Sequence, residues 1–221
     1  MEREIAPVRR SKADARATYD RRSRSYERFE GRFERRARTT GESMLAVHAG
    51  ERVLEIGSGP GESLASFAQA AGADGHVIGI DLAPEMHRVA ATRLEGIGDR
   101  AQVSLVVGDG VALPLPSQSI DAGFACFTVE LFDTPELPQV LAELRRVLRP
   151  GRRLVVVSLT TTAPPSVMER AYLLAHRLMP RLADCRPIPV AELVSAAGFH
   201  IEDQHRCDIA GIPVAVVAAA A

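Results

Sequence analysis

Arg52-Val53-Leu54-Glu55-Ile56-Gly57-Ser58-Gly59-Pro60-Gly61-Glu62-Ser63-Leu64 decides the fold. Val53, Leu54 and Ile56 make the short apolar core of a buried parallel strand. Glycines recur at alternate positions, and Leu64, Ala65, Phe67, Ala68 and Ala71 continue at helical spacing. Strand, glycine-rich turn and helix, in that order, open a nucleotide-binding βα unit. The turn calls for glycine because it is tight and a ligand must lie against bare backbone. The first turn of the helix adds unpaired N–H groups facing that ligand.

Spacing narrows the ligand. A dinucleotide site has G-x-G-x-x-G, but here Glu62 stands at the third glycine position and the glycine comes one residue early, at Gly61. A carboxylate at the helix start suits a pyrophosphate badly, whereas Glu55 in the strand suits an ammonium group. Further on, an apolar strand over 76–80 ends at Asp81, 24 residues past Gly57. An acid there accepts from ribose hydroxyls. Leu82-Ala83-Pro84-Glu85-Met86 follows, with Pro84 suited to a first helical turn. A third strand over 103–107 ends in Gly108-Asp109-Gly110-Val111, where a nicotinamide enzyme has no need of an acid. A fourth covers 119–127 and reaches Phe127.

Three acids, Glu55, Asp81 and Asp109, therefore end three successive strands. With acidic-x-Gly-x-Gly-x-Gly at 55–61, the region over roughly 15–160 resembles the class I S-adenosylmethionine-dependent methyltransferases. The resemblance implies S-adenosyl-L-methionine as cofactor, held by Gly57, Ser58, Gly59 and Gly61. It implies Met86 packed on the adenine beside Leu82, and Asp109 accepting from the adenine amino group. Gly108, Gly110, Val111 and Phe127 complete the expected set. In the N-terminal region, Thr18-Tyr19-Asp20 is followed by Ser25-Tyr26-Glu27-Arg28-Phe29. This pair resembles the N-terminal helix of the menaquinone and ubiquinone C-methyltransferase group, in which the second tyrosine closes over the cofactor. Tyr19 and Tyr26 join the expected set on that ground.

Composition sets the outer limits. The 221 residues are 46% hydrophobic and 25% charged, with a net charge of −1. These values fit one globular domain with a large sheet, and no global field recruits nucleic acid or a membrane surface. Residues 1–40 hold twelve arginines and seven acids, the mixed charge of a solvated helix face. Lys12 is the single lysine. Cys126, Cys185 and Cys207 are odd in number, far apart and without metal-ligand spacing, as expected of cytosolic thiols. The charged N-terminus is no signal peptide, and the run 214–221 is too short to span a bilayer.

The expected architecture is α/β: a Rossmann-like, doubly wound, seven-stranded sheet, mostly parallel with an antiparallel last strand. Residues 1–221 form a single domain, divided into an N-terminal helical cap (1–48), a cofactor core (49–160), a lid insert (161–189) and a final helix with a strand pair (190–221). A helix over 39–48 leads into the first strand. Thr134 caps a helix carrying Leu137, Val140, Leu141 and Leu144. Arg149-Pro150-Gly151 stops it, and a fifth strand runs over 152–159. In the insert, Val167, Ala171, Leu174 and Leu178 share one helical face.

The expected activity is cytoplasmic methyl transfer to carbon or oxygen of a small, fairly apolar molecule, quinone-like or a secondary metabolite. The protein would act as monomer or homodimer, with no metal and no nucleic-acid partner. Glu130 after the fourth strand and His176 on the lid are the candidate bases. Two other readings stay open: a cofactor-binding protein without transferase activity, such as a cyclase, and a nicotinamide-dependent oxidoreductase. No Asn/Asp-Pro-Pro-Tyr follows the fourth strand, which argues against exocyclic-amine methylation. An Asn-rich downstream signature of the quinone enzymes is also missing.

Overall fold

The structure, a computed structural model, describes residues 5, 7–8, 11–23, 31–98, 100–162, 164–178 and 185–221. Helices α1 (Lys12–Arg22) and α2 (Gly31–Leu45) precede the sheet. Strand β1 (Arg52–Ile56), α3 (Glu62–Ala71), β2 (His76–Asp81), α4 (Pro84–Glu95) and β3 (Gln102–Val107) make two successive βαβ units. Next come β4 (Ile120–Cys126), α5 (Leu137–Val147), β5 (Leu148–Leu159), α6 (Val167–Leu178), α7 (Val190–Ala196), β6 (His200–Ile209) and β7 (Ile212–Ala220).

Seven strands form one sheet in the order β3-β2-β1-β4-β5-β7-β6. β1 to β5 pair in parallel, and β7 runs antiparallel to both β5 and β6. This is the doubly wound arrangement the sequence called for. Strand order reverses between β1 and β4, which opens a crevice at their carboxyl ends.

Strand alternation divides the core. Leu54, Ile56, Ile78 and Ile80 meet Val140, Leu141 and Leu144 of α5 on one face. On the other, Val53, Val77, Phe124 and Val155 meet Leu45 of α2 and Leu64 and Phe67 of α3. Phe67 and Phe124 stack edge-on with centroids 5.1 Å apart.

Several local expectations are corrected. The helix expected over 39–48 is α2, which begins at Gly31 and stops at Leu45. The chain leaves it at Ala46 with φ 48°, and Arg153 Nε donates to the Leu45 carbonyl at 2.9 Å. Asp133, not Thr134, is the cap before α5. Its carboxylate accepts from Thr134 N and it forms a capping box with Glu136, so a short 3₁₀ turn precedes the helix. β5 begins at Leu148, and Arg149-Pro150-Gly151 is an irregularity within its ladder with β4.

The largest departure is α6. Its apolar stripe faces outward: Val167 is 84% exposed, Leu174 55% and Leu178 70%. Glu169 and His176 are the buried residues of this helix. Glu169 accepts from the Thr162 hydroxyl at 2.7 Å, and Tyr172 Oη donates to the Cys185 carbonyl at 2.9 Å. These polar ties hold the inward face of the helix, where Tyr172 also packs against the core. No helix among the described residues is long and apolar enough to cross a membrane.

Candidate cofactor site

The crevice at the switch point holds a cavity. The turn after β1 shapes its floor. Gly57 N and Ser58 N both donate to the Ile80 carbonyl, at 2.7 and 3.2 Å, which fastens the turn to β2. Gly57 has φ +62°, and a Cβ there would lie 2.1 Å from Thr128 Oγ1, so the residue must be glycine. Gly57 and Gly59 line the cavity.

Asp81 ties the floor to the next helix. Its carboxylate accepts Gly59 N and Ala83 N, each at 2.8 Å. Burial raises its pKa, and the two backbone donors offset part of that rise. Leu82, Ala83 and Met86 stand beside it on the wall. Gly108, Asp109 and Gly110 at the tip of β3 form the next part of the lining. Asp109 Oδ1 accepts Val111 N at 3.2 Å. Phe127, at the tip of β4, is held at φ +48°, an unusual conformation for a bulky side chain. Its ring lines the cavity next to Cys126 and Thr128.

α1 closes the cavity from above through Lys12, Ala15, Arg16 and Tyr19. Asp20 Oδ1 accepts Glu85 N at 3.1 Å, so α1 is fixed to the start of α4. Lys12 Nζ lies 2.6 Å from Asp109 Oδ2, 2.6 Å from Glu136 Oε1 and 5.7 Å from the centre of the Phe132 ring. Burial draws its pKa down, but the bonds to the two carboxylates outweigh this and hold it above its ordinary value.

Of the residues singled out in the sequence, Tyr19, Gly57, Gly59, Asp81, Leu82, Met86, Gly108, Asp109, Gly110 and Phe127 meet in this cavity. Tyr26 lies outside the described residues. Ser58, Gly61 and Val111 support the lining from behind: Ser58 Oγ lies 3.4 Å from His87 Nε2, and Gly61 begins α3. Glu55 is turned away from the cavity. Strand alternation puts Ile56 on the wall and directs Glu55 to the opposite face, toward Arg38, Glu42 and Ser63. Burial, with the Glu42 charge adding, raises its pKa well above the usual carboxylate range. Glu62 faces the same way, 3.1 Å from Arg38 Nε and 3.6 Å from Arg93 Nη1.

The two candidate bases do not reach the cavity either. Glu130 is 0% exposed, and its Oε1 accepts Leu159 N at 3.1 Å. His176 is 2% exposed on α6, none of whose residues lines the cavity. Sequence reading missed Lys12, Arg16, Leu131 and Phe132. A lone lysine was a visible signal for the first. Cys126, read as a core thiol, packs against the core and also lines the cavity. Burial, aided by the charges of Glu34, Glu55 and Glu130, pushes its pKa well above the ordinary thiol value.

The residues fit S-adenosylmethionine: bare glycine backbone, a partly buried carboxylate for a diol, a second acid one strand on, and an apolar wall. Comparison with known proteins agrees. Residues 53–151 match the family described as methyltransferase domain. A ubiquinone/menaquinone biosynthesis C-methyltransferase of Roseobacter denitrificans is 32% identical over 62% of this chain and 54% of its own length. An arsenite methyltransferase of Halobacterium salinarum is 36% identical over 55% of this chain and 30% of its own. The chain thus spans about half or less of these curated relatives. Among solved structures, the [4+2]-cyclase SpnF aligns with a TM-score of 0.73 and 18% identity, over 99% of this chain and 98% of that one. That likeness speaks for the fold alone. Taken with the acids at the strand tips and the glycine floor, these matches place a class I S-adenosylmethionine-dependent methyltransferase domain at residues 53–151, similar to the ubiquinone/menaquinone C-methyltransferases.

Proposed function

We propose that the protein transfers a methyl group from S-adenosylmethionine to carbon or oxygen of a small, largely apolar acceptor, quinone-like or a secondary metabolite, in the cytoplasm. The observation that carries this reading is Asp81, a partly buried carboxylate held by Gly59 N and Ala83 N at the floor of an aromatic-walled cavity.

The bound cofactor supplies a methyl group on a positively charged sulfur. Asp81 is placed to take the ribose hydroxyls, and Asp109 the adenine amino group. Tyr19, Phe127 and Phe132 keep water from the transfer path, which favours a reaction that disperses charge. The Cys126 thiol stays protonated at neutral pH and does not compete as a nucleophile. Among the described residues no histidine or glutamate lines the cavity. The acceptor is therefore expected to arrive ready to react, as an anion or an electron-rich carbon.

The test is calorimetry followed by turnover. S-adenosylhomocysteine should bind in the micromolar range, about 8 kcal/mol, and NAD and NADP not measurably. The reverse order would overturn the reading. Incubation with S-adenosylmethionine and a panel of phenols and quinols should release S-adenosylhomocysteine. Tight cofactor binding with no such release from any acceptor would point to a cyclase-like role.

A further inference from the structure

Arg186 has no exposed surface and is among the largest fully enclosed side chains. It stands near the end of the insert, two residues before Ile188, whose N–H donates to the Leu159 carbonyl at 3.1 Å. Its guanidinium donates to acceptors in the turn after β4. Nε donates to the Glu130 carbonyl at 3.3 Å, Nη1 to Thr134 Oγ1 at 2.9 Å, and Nη2 to the Phe132 carbonyl. Burying a guanidinium is costly unless its donors are matched. Its planar fork fixes several acceptors in one geometry, as a lysine cannot.

The turn it holds is a wall of the cofactor cavity. Leu131 and Phe132 line that cavity. The Phe132 ring is pressed so close to Gly110 that a Cβ there would lie 2.8 Å from Cζ. Lys12 sits over the same ring. One enclosed side chain from the end of the insert thus sets where an aromatic wall meets the tip of β3.

We propose that Arg186 is a positioning residue for the adenine end of the cofactor, acting through Phe132 by fixing the turn over 128–134. The end of the insert then bears on cofactor binding without any residue of α6 entering the cavity. This inference rests on the cofactor reading but not on the identity of the acceptor.

Calorimetry on the full chain tests it, with S-adenosylhomocysteine and with 5′-methylthioadenosine, which lacks the amino-acid end. R186K keeps the charge and loses the fork. In a variant shown folded by thermal unfolding, it should weaken both ligands about tenfold. F132A should weaken them comparably, and R186K/F132A should be no weaker than F132A, since both changes act on one ring. Folded R186K that binds both ligands like the parent, or losses that simply multiply in the double variant, would overturn the inference. Should R186K not fold, T134V removes one acceptor of the fork and should still cost about threefold in both affinities; unchanged binding there would overturn it equally. A parent protein that binds neither ligand would instead sink the cofactor reading itself.

Discussion

The unit over 52–71 and the insert over 161–189 were both read from apolar spacing, and the structure treats them oppositely. In the first, Val53 and Leu54 are fully buried, Leu64 and Phe67 pack in the core, and the turn between carries its own backbone bonds. In the second, the apolar stripe of α6 looks outward while Glu169 and His176 are enclosed. Periodicity finds a helix in both places. It orients that helix only where the neighbouring surface is apolar. Around α6 the described neighbours include the polar Thr162 and Cys185 carbonyl, which hydrogen-bond the helix, as well as the core cluster against which Tyr172 packs.

Substitutions can break this contrast. Gly57→Ala should have the largest effect, because its Cβ would collide with Thr128 at a positive φ. It should cost about 2–4 kcal/mol of stability by chemical denaturation and abolish measurable cofactor binding. Wild-type behaviour would show that the turn is looser than its hydrogen bonds imply. Next, Asp109→Ala should weaken S-adenosylhomocysteine by about 1–3 kcal/mol in calorimetry. Asp81 predicts a pH dependence for the same binding. Its pKa is raised by burial, and the diol needs the ionised form. Affinity should therefore fall, as pH drops, at a higher pH than an ordinary aspartate would give. Asp81→Asn should bind weakly at every pH and lose that dependence.

Smaller effects sharpen the comparison. Lys12→Met should change stability by under about 1 kcal/mol, since both its ion pairs are partly exposed. It should speed cofactor dissociation in stopped-flow, and the salt dependence of that rate should diminish. An unaltered rate would mean that α1 is not latched there. Leu174→Ser, on the exposed stripe of α6, should lie within about 0.5 kcal/mol of the parent, whereas His176→Ala should cost more. The opposite ranking would show that the stripe is covered in solution.

Much of the site was legible because its demands are local. A glycine turn that must approach a ligand, and acids at the ends of short apolar strands, leave marks at fixed positions, so Gly57, Asp81 and Asp109 could be named directly. Glu55 misled because its place in the chain is adjacent to the turn while the pleat directs its side chain to the other face. Glu130 misled because a polar residue near a strand tip looks alike whether it faces a cavity or, as here, meets Leu159 N in the interior.

The sequence by itself determined the βα order and the acid-tipped strands, since each follows from strands paired within some 30 residues of chain. Tertiary structure alone decided that Lys12 reaches Asp109 across 97 positions and that Arg153 caps α2 across 108. It also decided that Arg186 grips the turn after β4 across 54. Those pairings depend on which surfaces the folded sheet brings together, and a linear pattern of apolar and polar residues carries no record of that meeting.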